Sequence, residues 1–132
     1  MSRELYWLAL TLGATALFAF PYVLNRIAVR GIGGTLANPS PNDTPLAAWA
    51  QRAQRAHANG IENLAVFAPA ALAVHIMGRG DGLTAAACAF YFFARTLHYL
   101  AYTAGVPGLR TLAFFGGWGA TMLLIARLLG LA

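Results

Sequence analysis

The residues best suited to chemistry in this chain lie in the segment 51–63, which reads QRAQRAHANGIEN. Arginine forks bind carboxylates through paired hydrogen bonds, and a glutamate can accept an ammonium group. The pattern therefore predicts a site for a small ligand that carries carboxylates and an amine, such as a peptide-like zwitterion. In a helix of 3.6 residues per turn, the polar side chains of this segment fall within an arc of roughly 100°. They are Arg52, Arg55, Asn59, Glu62 and Asn63.

A second polar stripe follows about 30 residues later, at helical spacings that place five side chains on one narrow face. An aromatic stripe alone is typical of core or interface packing. An arginine and a histidine among apolar residues instead indicate a functional face, because ionisable groups inside a membrane are costly. The members are Tyr91, Arg95, His98, Tyr99 and Tyr102.

Composition indicates the elements that must position these stripes. Of the 132 residues, 59% are hydrophobic and only 10% are charged, and the mean hydropathy is +0.60, which is typical of a membrane protein rather than a soluble fold. A helix needs about 20 mostly apolar residues to cross a bilayer. We therefore predict one domain, 1–132, as an all-α antiparallel four-transmembrane-helix bundle, because short connections join the apolar segments. The predicted spans are about 5–27, 45–77, 83–104 and 108–130.

The connections have recognisable boundaries. The segment 31–45, rich in glycine and proline, predicts an irregular loop, and Asp43 or Thr44 before Pro45 predicts the start of the second helix. The segments 78–82 and 105–109, GRGDG and GVPGL, predict tight turns.

The net charge of +5 does not indicate nucleic-acid binding, because every basic residue is arginine and no basic run or aromatic-interleaved patch occurs. The arginines instead concentrate around the first connection and after the third. The positive-inside rule then predicts both termini outside and the first and third connections in the cytoplasm. Arg26 at the end of the first span either anchors the helix at this surface or points inward to meet an anionic ligand.

No metalloprotease, thioredoxin-like, hydrolase, kinase or dinucleotide-binding motif is present, and the sequence predicts no metal site. Cys88 is the single cysteine, so we interpret it as a small buried hydrophobe. Glu62 leaves open a third function, a small proton-coupled exporter, although this acid is surrounded by arginines.

Three strings resemble the MAPEG family, the membrane-associated proteins in eicosanoid and glutathione metabolism: RAHANGIENLAVF, RTLHYLAY and LRT. The resemblance covers nearly the whole chain. It implies a homotrimer whose active sites lie between neighbouring subunits near the cytoplasmic face, each binding glutathione, as a co-substrate, in a bent shape.

The resemblance also assigns roles to residues. Arg110 matches the arginine that stabilises the glutathione thiolate, and a cationic neighbour lowers the pKa of a thiol and favours its nucleophilic form. The positions that match or flank the glutathione-binding residues are Arg26, Arg52, Arg55, Asn59, Glu62, Arg95, His98 and Tyr102.

The implied activity is that of a glutathione-dependent transferase or peroxidase acting on lipophilic electrophiles that enter from the membrane lipids. Phe114 stands where some family members have tyrosine, and Ala58 replaces a basic residue of the prostaglandin synthase branch, so an eicosanoid synthase is not expected. The short chain suggests a bacterial inner-membrane protein. The alternative is a non-enzymatic membrane scaffold or lipid-binding bundle of the same fold.

Overall fold

The computed structural model describes all 132 residues, and its only regular secondary structure is α-helix. Five helices follow one another: α1 (Arg3–Leu17), α2 (Phe20–Leu36), α3 (Ala48–Ile76), α4 (Gly82–Ala104) and α5 (Pro107–Leu128). The predicted all-α fold is confirmed. The first predicted span comprises two helices, α1 and α2, while the other three spans correspond to α3, α4 and α5.

The first predicted helix and loop differ from the structure. A single helix over about 5–27, bent near Pro21, was expected, but α1 ends at Leu17 and α2 begins at Phe20, with Pro21 in its first turn. Proline is tolerated there because the first helical amides have no partner within the helix. The prediction of an irregular loop from residue 31 was wrong for residues 31–36, which are helical beyond a kink at Gly31 (φ 70°).

The start of α3 was also misplaced. Neither Asp43 nor Thr44 caps this helix, which begins at Ala48 after Ala47, a residue with no side-chain cap. Asp43 is engaged elsewhere, because its carboxylate pairs with Arg30 at 3.6 Å and accepts the backbone N–H of Ser40.

The two tight turns occur as predicted. Asp81 precedes α4 and accepts hydrogen bonds from the backbone N–H groups of Leu83 and Thr84, while the Thr84 hydroxyl accepts the Asp81 N–H. This reciprocal capping box satisfies amides that the helix leaves free. At the other end of α4, Gly105 adopts a left-handed conformation (φ 81°), and Pro107 is the first residue of α5.

The core forms where α1, α3, α4 and α5 meet. The rings of Phe67 and Tyr91 stack with their centroids 3.6 Å apart, which joins α3 to α4. The ring of Tyr99 stacks on Phe18 at 4.1 Å, and its hydroxyl donates to the Phe18 carbonyl oxygen at 2.9 Å, so the break after α1 is tied to α4. The polar stripe of α4 therefore faces the interior of the bundle.

Judged by length and mean hydropathy, two stretches could cross a membrane: Arg3–Leu36, taken across its kink, and Pro107–Leu128. The helices α3 and α4 carry the two polar stripes, whose arginines, asparagines and histidines lower their hydropathy. In a membrane such helices keep their polar groups away from lipid by facing other protein surfaces.

Candidate functional site

A cleft of about 190 Å³ opens between α3, α4 and α5. Each helix contributes polar side chains to it: α3 from its middle, α4 from its last two turns and α5 from its first two. The short turn at Gly105 allows the end of α4 and the start of α5 to meet there. The lining residues are Asn59, His98, Tyr102, Arg110, Thr111 and Phe114.

Arg110 supplies the positive charge of the cleft. Its guanidinium carbon lies 4.4 Å from the centroid of the Tyr102 ring, a cation–π contact that orients the side chain without neutralising it. No carboxylate of the chain forms an ion pair with Arg110. The charge is therefore available to an anionic ligand atom.

His98 forms the inner wall of the cleft. Its side chain is buried, and its ring centroid lies 5.7 Å from that of Tyr102 and 6.4 Å from that of Phe114. The Nδ1 atom has no hydrogen-bond partner within the chain. His98 therefore contributes its ring to the wall of the cleft beside Tyr102 and Phe114, while its Nδ1 atom is buried.

Asn59 is held in place from behind by Arg95. The Nη2 group of Arg95 donates to the Asn59 Oδ1 at 2.7 Å, and Asn63 Nδ2 donates to the Asn59 carbonyl oxygen at 2.9 Å. The stem of Arg95 passes Gly117, where an added Cβ would lie 2.9 Å from the Arg95 Cδ. Arg95 itself is buried and does not line the cleft. It acts on the cleft from behind, through its hydrogen bond to Asn59 and through its guanidinium carbon, which lies 6.0 Å from the centroid of the Phe114 ring.

The remaining predicted site residues lie outside the cleft. Arg52 is half-buried, and its Nε donates to the Thr103 carbonyl oxygen at 3.0 Å, at the end of α4. Arg55 and Glu62 are exposed on the outer flank of α3 and form no ion pair in the chain. Arg26 is half-buried on α2, with a buried Nε that has no partner. The predicted set is thus only partly brought together within one chain.

Sequence reasoning did not place Thr111 and Phe114 in the site. Phe114 lies four residues after Arg110, hence on the same face of α5, and this spacing could have identified it. A second omission is the hydrogen bond between the Tyr22 hydroxyl and His57 Nδ1 at 2.7 Å, which joins α2 to α3. No sequence signal links these two residues, because they are 35 positions apart.

Comparison with curated proteins finds no match. Comparison with protein families does find one: a family model matches residues 5–130, almost the whole chain and both polar stripes. Together with an all-helical fold and apolar helices long enough to cross a bilayer, this match shows that the chain belongs to the MAPEG family, membrane proteins in glutathione and eicosanoid metabolism.

Proposed function

We propose that this protein is a glutathione-dependent transferase or peroxidase that acts on lipophilic electrophiles. The observation that carries the proposal is the position of Arg110, which lies over the Tyr102 ring with no carboxylate partner and shares one cleft with His98 and Asn59. A family member with an unneutralised cation in such a cleft is suited to hold a thiolate.

In the transferase reaction, the glutathione thiol loses its proton to water and the thiolate stays beside the Arg110 guanidinium. A neighbouring cation favours the thiolate over the thiol. The sulfur attacks the electrophilic carbon, a new S–C bond forms, and the bond to the leaving group breaks with its electron pair. For an aryl chloride, the products are the thioether and chloride.

The peroxidase reaction uses the same nucleophile. The thiolate attacks the terminal oxygen of a hydroperoxide, an S–O bond forms to give a sulfenic acid, and the O–O bond breaks to release an alkoxide. The alkoxide takes a proton from water and becomes an alcohol. A second glutathione then reduces the oxidised sulfur, so that two thiols become one disulfide and one water is released.

Assembly of the full site is proposed to need neighbouring subunits. In this proposal the helices form an antiparallel four-span bundle and three copies associate, with a glutathione between them. The exposed Arg55 and Glu62 support the idea, because charged side chains in a span are costly in contact with lipid and normally face protein. In the assembly, Arg55 and Glu62 of one copy would reach a glutathione bound between it and its neighbour, with Arg55 on a carboxylate and Glu62 on the amine.

The proposed location is a bacterial inner membrane, with both termini outside and the cleft facing the cytoplasm. The arginines around the first and third connections support this orientation through the positive-inside rule. The cytoplasm is also where a thiol co-substrate is kept reduced.

The test is the rate at which purified protein in detergent conjugates glutathione to chlorodinitrobenzene. We expect the native protein to accelerate the reaction and Arg110→Ala to lower the rate by about 100-fold or more. Arg3→Ala is the matched control, because Arg3 is exposed at the start of α1 and forms no ion pair in the chain.

Two results would contradict the proposal. If the native protein gives no rate above the buffer with either an aryl halide or a lipid hydroperoxide, the non-enzymatic scaffold is the better interpretation. If Arg110→Ala reacts as fast as Arg3→Ala, the thiolate is not held by Arg110.

A further inference from the structure

A second, much smaller cavity lies inside the bundle between α1, α3 and α4. Its volume is about 20 Å³, and it shares no lining residue with the cleft. Polar side chains from all three helices line it, among them Thr11, Thr15, His57, Tyr91 and Arg95. Burying polar side chains inside a bundle of apolar helices costs free energy unless each of them is hydrogen-bonded.

Three hydrogen-bond donors of this cavity's walls have no partner. The Nε and Nη1 groups of Arg95 and the hydroxyl of Tyr91 are buried without an acceptor, and the two residues are only 7% and 1% exposed. The hydroxyls of Thr11 and Thr15 already donate to backbone carbonyl oxygens at 2.8 and 2.7 Å. The cavity therefore has donors in excess, and an occupant that accepts hydrogen bonds would satisfy them.

The charge of Arg95 is also unbalanced within the chain. Its only acceptor is the neutral amide oxygen of Asn59. Of the four acidic residues, Glu4 accepts a hydrogen bond from Thr84, whereas Asp43 and Asp81 pair with other arginines. Glu62 is exposed on α3. A buried guanidinium without a counter-charge is strongly disfavoured in a low-dielectric interior.

We propose that this cavity binds a single monatomic anion, chloride under physiological conditions, between Arg95 and Tyr91. A space of about 20 Å³ admits one water-sized particle, which suits a halide and excludes sulfate, phosphate or a ligand carboxylate. A water molecule could accept the hydrogen bonds but would leave the charge unbalanced. The anion would fix Arg95 and, through it, Asn59, whether or not the cleft binds glutathione.

The first test measures thermal unfolding in detergent at constant ionic strength while chloride replaces gluconate. Binding to the native state predicts a saturable rise in the unfolding temperature of about 4 °C. Tyr91→Phe should lose most of this rise, because it removes a donor and retains the ring that stacks on Phe67. Tyr6→Phe is the matched control, since Tyr6 is 48% exposed, and it should keep the full rise.

The second test is the structure of crystals grown in bromide. We expect an anomalous scattering peak at hydrogen-bond distance from the Arg95 guanidinium and the Tyr91 hydroxyl. Ordered water alone at this position, or a carboxylate of a neighbouring copy on Arg95, would overturn the proposal. So would an equal response to chloride in Tyr91→Phe and Tyr6→Phe.

Discussion

The two ends of the bundle treat their charges differently. At the end where α1 and α4 begin and α5 finishes, here called the Asp81 end, most charged groups find partners within the chain, with Arg3 as the exception. Glu4 accepts a hydrogen bond from the Thr84 hydroxyl at 2.7 Å, Asp81 caps α4 and pairs with Arg127, and Arg79 donates to two carbonyl oxygens at the end of α5. This end is held together by local polar contacts.

At the opposite end, here called the Arg110 end, which contains the cleft, the arginines outnumber their partners. Arg26, Arg55 and Arg110 form no ion pair within the chain, and Glu62 is also unpaired. The comparison teaches that the net positive charge of the protein is not spread evenly. Most charges at the Asp81 end stabilise the fold. At the Arg110 end, four charged side chains have no partner in the chain and remain available for a ligand or a neighbouring copy: Arg26, Arg55, Glu62 and Arg110.

The largest effect on stability is expected from Asn59→Leu. The substitution removes the only acceptor of the buried Arg95 side chain, so an unpaired guanidinium would lower the free energy of unfolding by about 3 kcal/mol. Unfolding titrations in mixed micelles measure this change. Asn42→Leu, in the exposed loop before α3, is the control and should be nearly neutral. An equal effect of both substitutions would mean that the hydrogen bond to Arg95 is unimportant.

Breaking polar contacts at the Asp81 end is expected to cost less stability and to leave ligand binding intact. Thr84→Val removes the hydrogen bond to Glu4 and the acceptor of the Asp81 N–H, which should lower the free energy of unfolding by about 2 kcal/mol. Calorimetry with glutathione should then give the same affinity as the native protein. A large loss of affinity would show that the two ends are not independent.

The smallest effect is expected from Arg127→Gln. The ion pair with Asp81 lies at the surface, with side-chain exposures of 27% and 39%, and such pairs contribute at most about 1 kcal/mol. The unfolding temperature should fall by no more than a few degrees, and high salt should reduce the difference between the two proteins. If Arg127→Gln lowered the free energy of unfolding as much as Thr84→Val does, the ion pair would contribute more than a surface pair can.

Much of this organisation could be predicted from the sequence, because helical periodicity places side chains around a helix axis. The stripe of α4 and the turns at Asp81 and Gly105 follow from spacing and from residue type. Periodicity does not show which neighbouring helix covers each side of a stripe. Arg95 thus lies behind Asn59 and not in the wall of the cleft, and Arg55, one turn before Asn59 on α3, is exposed in the single chain. Their assignment as glutathione-binding residues stays a prediction.

The segment around Gly31 shows a second limit of sequence reasoning. The glycines of residues 31–36 are common in loops, yet the helix continues to Leu36 beyond one non-helical residue, Gly31. Contacts distant in sequence hold the segment that follows against α2: Asn25 accepts the Ala47 N–H at 3.0 Å and Arg30 donates to the Thr44 carbonyl oxygen at 2.8 Å. Local composition contains no information about such contacts.

The turn between α4 and α5 works as a spacer of fixed length. Arg52 crosses from α3 to the Thr103 carbonyl oxygen, and a Cβ on Gly105 would lie 3.4 Å from the Arg52 Nε. An insertion here that shifted α5 by one residue would rotate Arg110 about the helix axis by about 100°, away from Tyr102. Evolution or engineering that broadens the range of electrophiles would therefore have to exchange wall side chains such as Phe114 while keeping the turn at its present length.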